Sequence, residues 1–349
     1  MHISLPNRHR LLRGGLSLPR RLWIGVVCMA LACLFGLLPD LLSGNKTVCP
    51  QEVYTHAMLR EDLTALQREF PQSLAVEVIG YSREGRTIYA ARAGSKNAPV
   101  RVLLHAGIHA REHMTNLLVM AQLERLLRRG VPDWAAFYFV PMVNPDGAFI
   151  SQTRTANQKV LEIYAADRAA GYSDEPCEQY LARWKANAAG VDLNRNFDAQ
   201  WERIDSHSGP SSAFYRGESP LSEPETQALA AYTLRVRPDI TISYHAMGEE
   251  IYYDFGSNTP VNEAGYSLAQ AVARYTDYKP IPDDYTSFGG YKDWAIEKLS
   301  IPSLTIEVGS VPAPLPLSEF ATIWKKNRDV PIIAAKWAKE RLTNGKPLR

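Results

Sequence analysis

His109 and Glu112, three residues apart in His105-Ala-Gly-Ile-His-Ala-Arg-Glu-His113, can reach a single metal ion if the chain turns there. The stretch follows an apolar run, Val100 to Leu104, that reads as a buried strand. It precedes Met114 to Arg129, where apolar residues recur at helical spacing. In open α/β sheets, ligands collect where a strand ends and a helix begins. The third ligand must come from far along the chain, and His245 in Ile242-Ser-Tyr-His-Ala246 is the candidate. Two His, one Glu and an open fourth position make a catalytic site for one Zn2+ ion. Alone, His-x-x-Glu is also the pattern of many surface helices, so the rest of the chain has to carry the reading.

Length and charge narrow the class. The chain has 349 residues, with 39 Lys and Arg against 37 Asp and Glu. The body shows no basic cluster, so nucleic acid is not an expected partner. Residues 1–21 form a basic flank with five arginines and no acid, and residues 22–38 carry no charge. That pattern is an export signal or a membrane anchor, and it predicts a body outside the cytoplasm. If uncleaved, the segment would tie the protein to the membrane. Residues 39–50 read as a linker, 51–343 as one domain and 344–349 as a tail. Cys49 and Cys177, the two cysteines beyond the apolar segment, are expected to pair in a disulfide.

The elements that must hold the site alternate between apolar strands and helices. Glu52 to Phe70 reads as a helix, and Leu74 to Gly80 and Thr87 to Ala93 as a hairpin. Phe137 to Val143 reads as a buried strand ended by a turn at Asn144-Pro-Asp-Gly147. Residues 148–190 read as irregular. Ser222-Glu-Pro-Glu-Thr226 has capping-box spacing and opens a helix to about Arg235. Ile240 to Tyr244 and Pro302 to Val308 read as buried strands, and Glu263 to Tyr275, Lys292 to Leu299 and Phe320 to Leu342 as helices, the last interrupted at Pro331. The fold class is α/β: a single domain with a central mixed, largely parallel sheet covered by helices on both faces, preceded by a hydrophobic N-terminal segment.

Taken together, these motifs resemble the zinc carboxypeptidases of the carboxypeptidase A superfamily over about residues 51–343. The resemblance implies that His109, Glu112 and His245 are the zinc ligands. It makes Arg111 a substrate-side arginine. It gives Asn194 and Arg195, in Asp192-Leu-Asn-Arg195, the grip on a substrate carboxylate, Tyr285 the role of a mobile tyrosine and Glu307 that of catalytic glutamate. Asn144-Pro-Asp-Gly147, Tyr215-Arg-Gly217 and Ser222 to Thr226 look like family structural signatures. The chemistry fits each assignment. A carboxylate at the end of a buried strand suits a general base, and Asp192 suits the orientation of the His109 ring. A guanidinium fork matches a carboxylate with two parallel hydrogen bonds. The basic residue that stabilises the oxyanion stays open among Lys185, Arg183 and Arg154, with Lys185 favoured by its place beside Trp184. His105, His113 and His207 read as structural.

Lys292, seven residues after Tyr285, corresponds to the base of the family's specificity pocket. A buried ammonium there wants an anion. Phrases such as Arg183-Trp-Lys-Ala-Asn187 and Gly289-Gly-Tyr-Lys-Asp-Trp294 resemble the bacterial branch that includes γ-D-glutamyl-diaminopimelate peptidases. The expected substrate is therefore a peptide or muropeptide cleaved between D-Glu and diaminopimelate. The alternative is a carboxypeptidase releasing acidic C-terminal residues. A binding protein without catalysis would be expected to lack Glu307.

Overall fold

The computed structural model describes residues 46–282 and 287–345. The N-terminal basic flank and apolar segment, and Tyr285, lie outside the described residues. The strands are β1 (Leu74–Tyr81), β2 (Thr87–Ala93), β3 (Val100–Ala106), β4 (Ala135–Val140), β5 (Ile240–His245), β6 (Glu250–Tyr252), β7 (Lys279–Ile281) and β8 (Ser303–Glu307). They form one sheet in the order β1-β2-β4-β3-β5-β8-β6-β7. Its centre, β4-β3-β5-β8, is parallel, while β1 and β2 run antiparallel on one side and β6 opposes β8 on the other.

Alternation along the strands builds two cores. In β4, Ala135, Phe137 and Phe139 join one apolar cluster, and Ala136, Tyr138 and Val140 the other. The first core is covered by α1 (His56–Glu69) and α2 (Met114–Arg129) and by helices from the C-terminal third of the chain. The second core is covered by α6 (Pro224–Val236) and α8 (Tyr291–Leu299). A sheet buried on both faces explains why its central strands are nearly continuous apolar runs.

The structure corrects several expectations. Asn144-Pro-Asp-Gly147 is not a turn that ends in a loop. Asn144 caps α3 (Pro145–Thr153) by accepting the Gly147 N–H at 2.9 Å, and Pro145 takes the first helical position. Residues 148–190 are largely helical, with α4 (Gln158–Ala169) and α5 (Cys177–Ala182) after α3. The capping box at Ser222 does not form: Glu223 is the N-cap residue of α6, and Pro224 begins the helix. The helix expected from Glu263 begins earlier, as α7 (Thr259–Thr276). Pro331 separates α9 (Phe320–Asn327) from α10 (Val330–Thr343), as its ring requires. Cys49 and Cys177 do not pair with each other, so the expected disulfide between them is not formed. No helix among the described residues is long and apolar enough to cross a membrane.

Glu225, one residue into α6, is fully buried, where it accepts the Arg83 N–H at 3.0 Å and the Asn187 amide at 3.3 Å. Burial pushes its carboxyl up to about 7. The folded state therefore holds the proton more tightly than the unfolded one. The associated stability is complete below the unfolded value near 4.5 and is lost as pH rises through about 7. Glu225→Gln keeps an acceptor for Arg83 and removes the charge. Urea unfolding between pH 4.5 and 8 should show a flatter stability profile for the variant, by on the order of 2 kcal/mol across the range. Parallel profiles would show that the charge is compensated.

Candidate active site

Three neighbouring parallel strands deliver the site at their carboxyl ends, where an open α/β sheet offers a crevice. β3 ends at Ala106, and Gly107 turns the chain with φ +63°. A Cβ there would lie 2.0 Å from the Asn116 side-chain oxygen, so only glycine allows the turn that lifts His109 and Glu112 over the sheet edge. β5 ends on His245, which pairs in register with Glu307 at the end of β8.

The three proposed ligands converge. Nδ1 of His109 is 2.9 Å from Oε1 of Glu112, and Nδ1 of His245 is 3.0 Å from Nδ1 of His109 and 3.1 Å from Oε2 of Glu112. All three side chains are buried. Two imidazole nitrogens and a carboxylate facing one another is a donor set for a cation. Zinc–ligand distances of about 2.0–2.1 Å in a tetrahedron set neighbouring ligand atoms about 3.3 Å apart, close to this spacing. Burial works to raise the Glu112 carboxyl, but His109 and then His245 outweigh it and hold it well below the usual range. The residues present therefore fit zinc.

Asp192 is fully buried behind this set. One of its oxygens lies 3.2 Å from Nε2 of His109 and the other 3.3 Å from Nζ of Lys185. Burial opposes its ionisation, yet Lys185 first, then His109 and Arg195, keep it well below the ordinary carboxylate value. It braces a metal ligand and a cation at once. Partners of this kind fix the orientation of a ligating ring and typically contribute 10- to 100-fold to metal affinity. Asp192→Asn should weaken zinc binding by about that factor in a competitive chelator titration. Unchanged affinity would limit Asp192 to holding Lys185.

Of the three basic candidates, the structure brings only Lys185 to the site. Its backbone carbonyl accepts the Ala110 N–H at 3.1 Å, which ties its segment to the turn carrying His109. Arg183 pairs with Glu175 at 2.6 Å, and Arg154 turns towards Glu178 at 3.8 Å. Arg111 is half-buried, and its Nε has no hydrogen-bond partner.

Asn194 and Arg195 follow Asp192 on a short 3-10 turn. The Asn194 oxygen accepts the Tyr291 N–H at 3.0 Å, which leaves its amide N–H groups as the donor end. Gly289, at φ +71°, packs so closely that a Cβ would lie 2.8 Å from the Arg195 carbonyl oxygen. Lys292, in the first turn of α8, is 7% exposed. Its Nζ is 2.7 Å from Oδ1 of Asp293 and 2.5 Å from the Asp254 carbonyl oxygen. Its charge is thus already paired, which sequence spacing did not reveal, because adjacent helical residues do not normally face each other. Glu307 is half-buried at the end of β8, and burial, followed by Glu112, pushes its carboxyl up to about 8.

Among the described residues, His105, His113 and His207 are not part of the group formed by His109, Glu112 and His245. Nε2 of His105 is 2.7 Å from the Ser243 hydroxyl in the core.

The sequence matches the family model described as zinc carboxypeptidase over residues 59–330. It is 31% identical over 296 residues to gamma-D-glutamyl-L-diamino acid endopeptidase 1 of Lysinibacillus sphaericus, covering 80% of this chain and 72% of that one. It is 25% identical over 253 residues to carboxypeptidase B of Astacus astacus, covering 67% of this chain and 78% of that one. In fold, carboxypeptidase A from Helicoverpa armigera superposes with a TM-score of 0.62 at 22% identity, covering 90% of this chain and 82% of that one. The chain belongs to the zinc carboxypeptidase family and is a zinc metallopeptidase.

Proposed function

We propose that the enzyme hydrolyses the bond between γ-D-Glu and diaminopimelate in peptidoglycan stem peptides, outside the cytoplasm. The observation that carries the substrate reading is the Lys292–Asp293 ion pair, 2.7 Å apart and nearly buried. A lone lysine would favour a purely acidic side chain. A lysine already matched by a carboxylate favours a group bearing both charges, because neither partner is then left unpaired. The far end of diaminopimelate, an ammonium and a carboxylate on one carbon, is such a group. The name of the Lysinibacillus relative, which specifies a diamino acid, points the same way. The basic flank and uncharged stretch in residues 1–38 support export.

His109, Glu112 and His245 would hold a zinc ion, which would supply Lewis acidity to the scissile carbonyl and to a bound water. The Glu307 carboxylate takes a proton from the attacking water and returns it to the leaving amine. The Lys185 ammonium lies beside the developing negative oxygen. Arg195 grips the free carboxylate next to the cleaved bond through its planar fork, with Asn194 as a second donor. Arg111 and Tyr285 complete the substrate contacts.

Incubation with L-Ala-γ-D-Glu-diaminopimelate should release free diaminopimelate, read by mass spectrometry. A peptide ending in L-Glu should be a poor substrate. The reverse order supports the carboxypeptidase that trims acidic residues. Lys292→Met should lower kcat/KM on the diaminopimelate peptide by about 100-fold, the size expected when a buried charged contact is removed. An effect under threefold would take Lys292 out of the pocket.

A further inference from the structure

Beside Lys185, three rings that the reaction does not use touch one another in succession. The Lys185 ammonium lies 5.1 Å from the centre of the Phe214 ring. Phe214 meets His207 edge to face at 5.6 Å, and His207 stacks flat on Tyr172 at 3.6 Å with 10° between planes. Phe214 and Tyr172 are 47% and 44% exposed.

This ledge is held in place from below. Asp167 accepts from the Tyr180 hydroxyl at 2.6 Å, from the Ser211 hydroxyl at 2.9 Å and from the Ser212 N–H at 3.0 Å. Ser211 in turn contacts Nδ1 of His207 at 2.9 Å, and Tyr172 donates its N–H to the Asp167 carbonyl at 2.8 Å. Phe214 has φ +64°, a left-handed conformation that costs a bulky residue energy. Its N–H points at Oδ2 of Asp192, 3.3 Å away. A strained backbone that anchors to the carboxylate bracing His109 and Lys185, while exposing a large apolar ring, is not explained by core packing. Burial holds the His207 imidazole below its ordinary value.

The geometry points to a substrate subsite on the acyl side of the scissile bond, formed by Phe214, His207 and Tyr172, that takes a saccharide ring attached to the peptide's amino end. The side follows from the neighbours. Arg195, Asn194 and Lys292 occupy the leaving-amine side near the start of α8, whereas Phe214 borders Lys185. The ring follows from chemistry: a sugar has an apolar face that stacks on aromatics and a hydroxyl rim that suits the amphipathic Tyr172. The reach also fits. Two residues span about 7 Å when extended, enough to carry the amino end beyond Phe214 towards Tyr172. The inference rests on the assignment of Lys185 to the scissile carbonyl, not on which residue is released.

The test uses three substrates with the same scissile bond and the C-terminal residue that the wild-type enzyme releases fastest. The acyl-side amine carries an acetyl, an N-acetylmuramyl or a benzoyl cap. The readout is kcat/KM for each ring cap divided by that for acetyl. Wild type should favour the saccharide cap about tenfold, and Tyr172→Ala and Phe214→Leu should each pull that ratio towards one. A wild-type ratio near one, or a ratio unchanged in both variants, overturns the subsite. A preference for benzoyl with none for the saccharide overturns the choice of ligand. If no diaminopimelate peptide is cleaved but the saccharide ratio behaves as stated, the substrate proposal fails and the subsite stands.

Discussion

Glu307→Gln should lower kcat by about 10³- to 10⁴-fold while leaving zinc content at one ion per chain. The glutamine occupies the same volume at the end of β8 and keeps the register with His245 and Glu250. It lacks the capacity to accept and return a proton, so the loss falls on the chemical step. KM should change little, because Arg195 and Lys292 are untouched. The same substitution should stabilise the metal-free protein at alkaline pH. Burial and Glu112 raise the Glu307 carboxyl to about 8, so ionising it costs folding energy as pH climbs from the unfolded value near 4.5 through 8. Steady-state kinetics, metal analysis and melting curves of the chelated protein check all three parts. A variant that binds zinc and hydrolyses at the parent rate would remove Glu307 from the mechanism.

His245→Ala should abolish activity by a different route, through loss of the metal. The parent set presents two imidazole nitrogens and one carboxylate, all buried and about 3 Å apart. Removing one leaves His109 and Glu112, too few ligands for a closed-shell cation that prefers four. Zinc content should fall below a tenth of an ion per chain at micromolar zinc, with kcat/KM down about 10⁴-fold. Linkage supplies an independent readout. Zinc at 1,000 times its dissociation constant stabilises the parent by about 4 kcal/mol, seen as a rise in melting temperature. The variant should lose that rise. Retention of both zinc and the thermal shift would place the ion elsewhere.

How much of this could be read from residues alone varies with the kind of signal. The central strands were legible because a sheet buried on both faces leaves long apolar runs such as Val100 to Leu104, with His245 and Glu307 at strand ends and His109 and Glu112 just beyond one. The helices of residues 145–182 were not. Asn144-Pro-Asp-Gly147 is turn chemistry, but the same residues cap and open a helix, and only the packing against Trp184 and its neighbours decides between the two. The strands at Glu250–Tyr252 and Lys279–Ile281 are too short to show a period. The choice among Lys185, Arg183 and Arg154 needed distances, since each stands among similar neighbours in the chain. The Lys292–Asp293 pair and the ring ledge at Tyr172, His207 and Phe214 needed them too, because the first depends on side-chain direction and the second on contacts between residues distant in the chain.

The central claim is that one zinc ion sits where the ends of three parallel strands meet. A crystal of the zinc-loaded protein, measured at the zinc absorption edge, tests it directly. The account predicts a single anomalous peak about 2.0–2.2 Å from Nδ1 of His109, Nδ1 of His245 and the Glu112 carboxylate, on the side facing Glu307. A peak at any other place in an active crystal, or ligation through the Nε2 atoms, would contradict it.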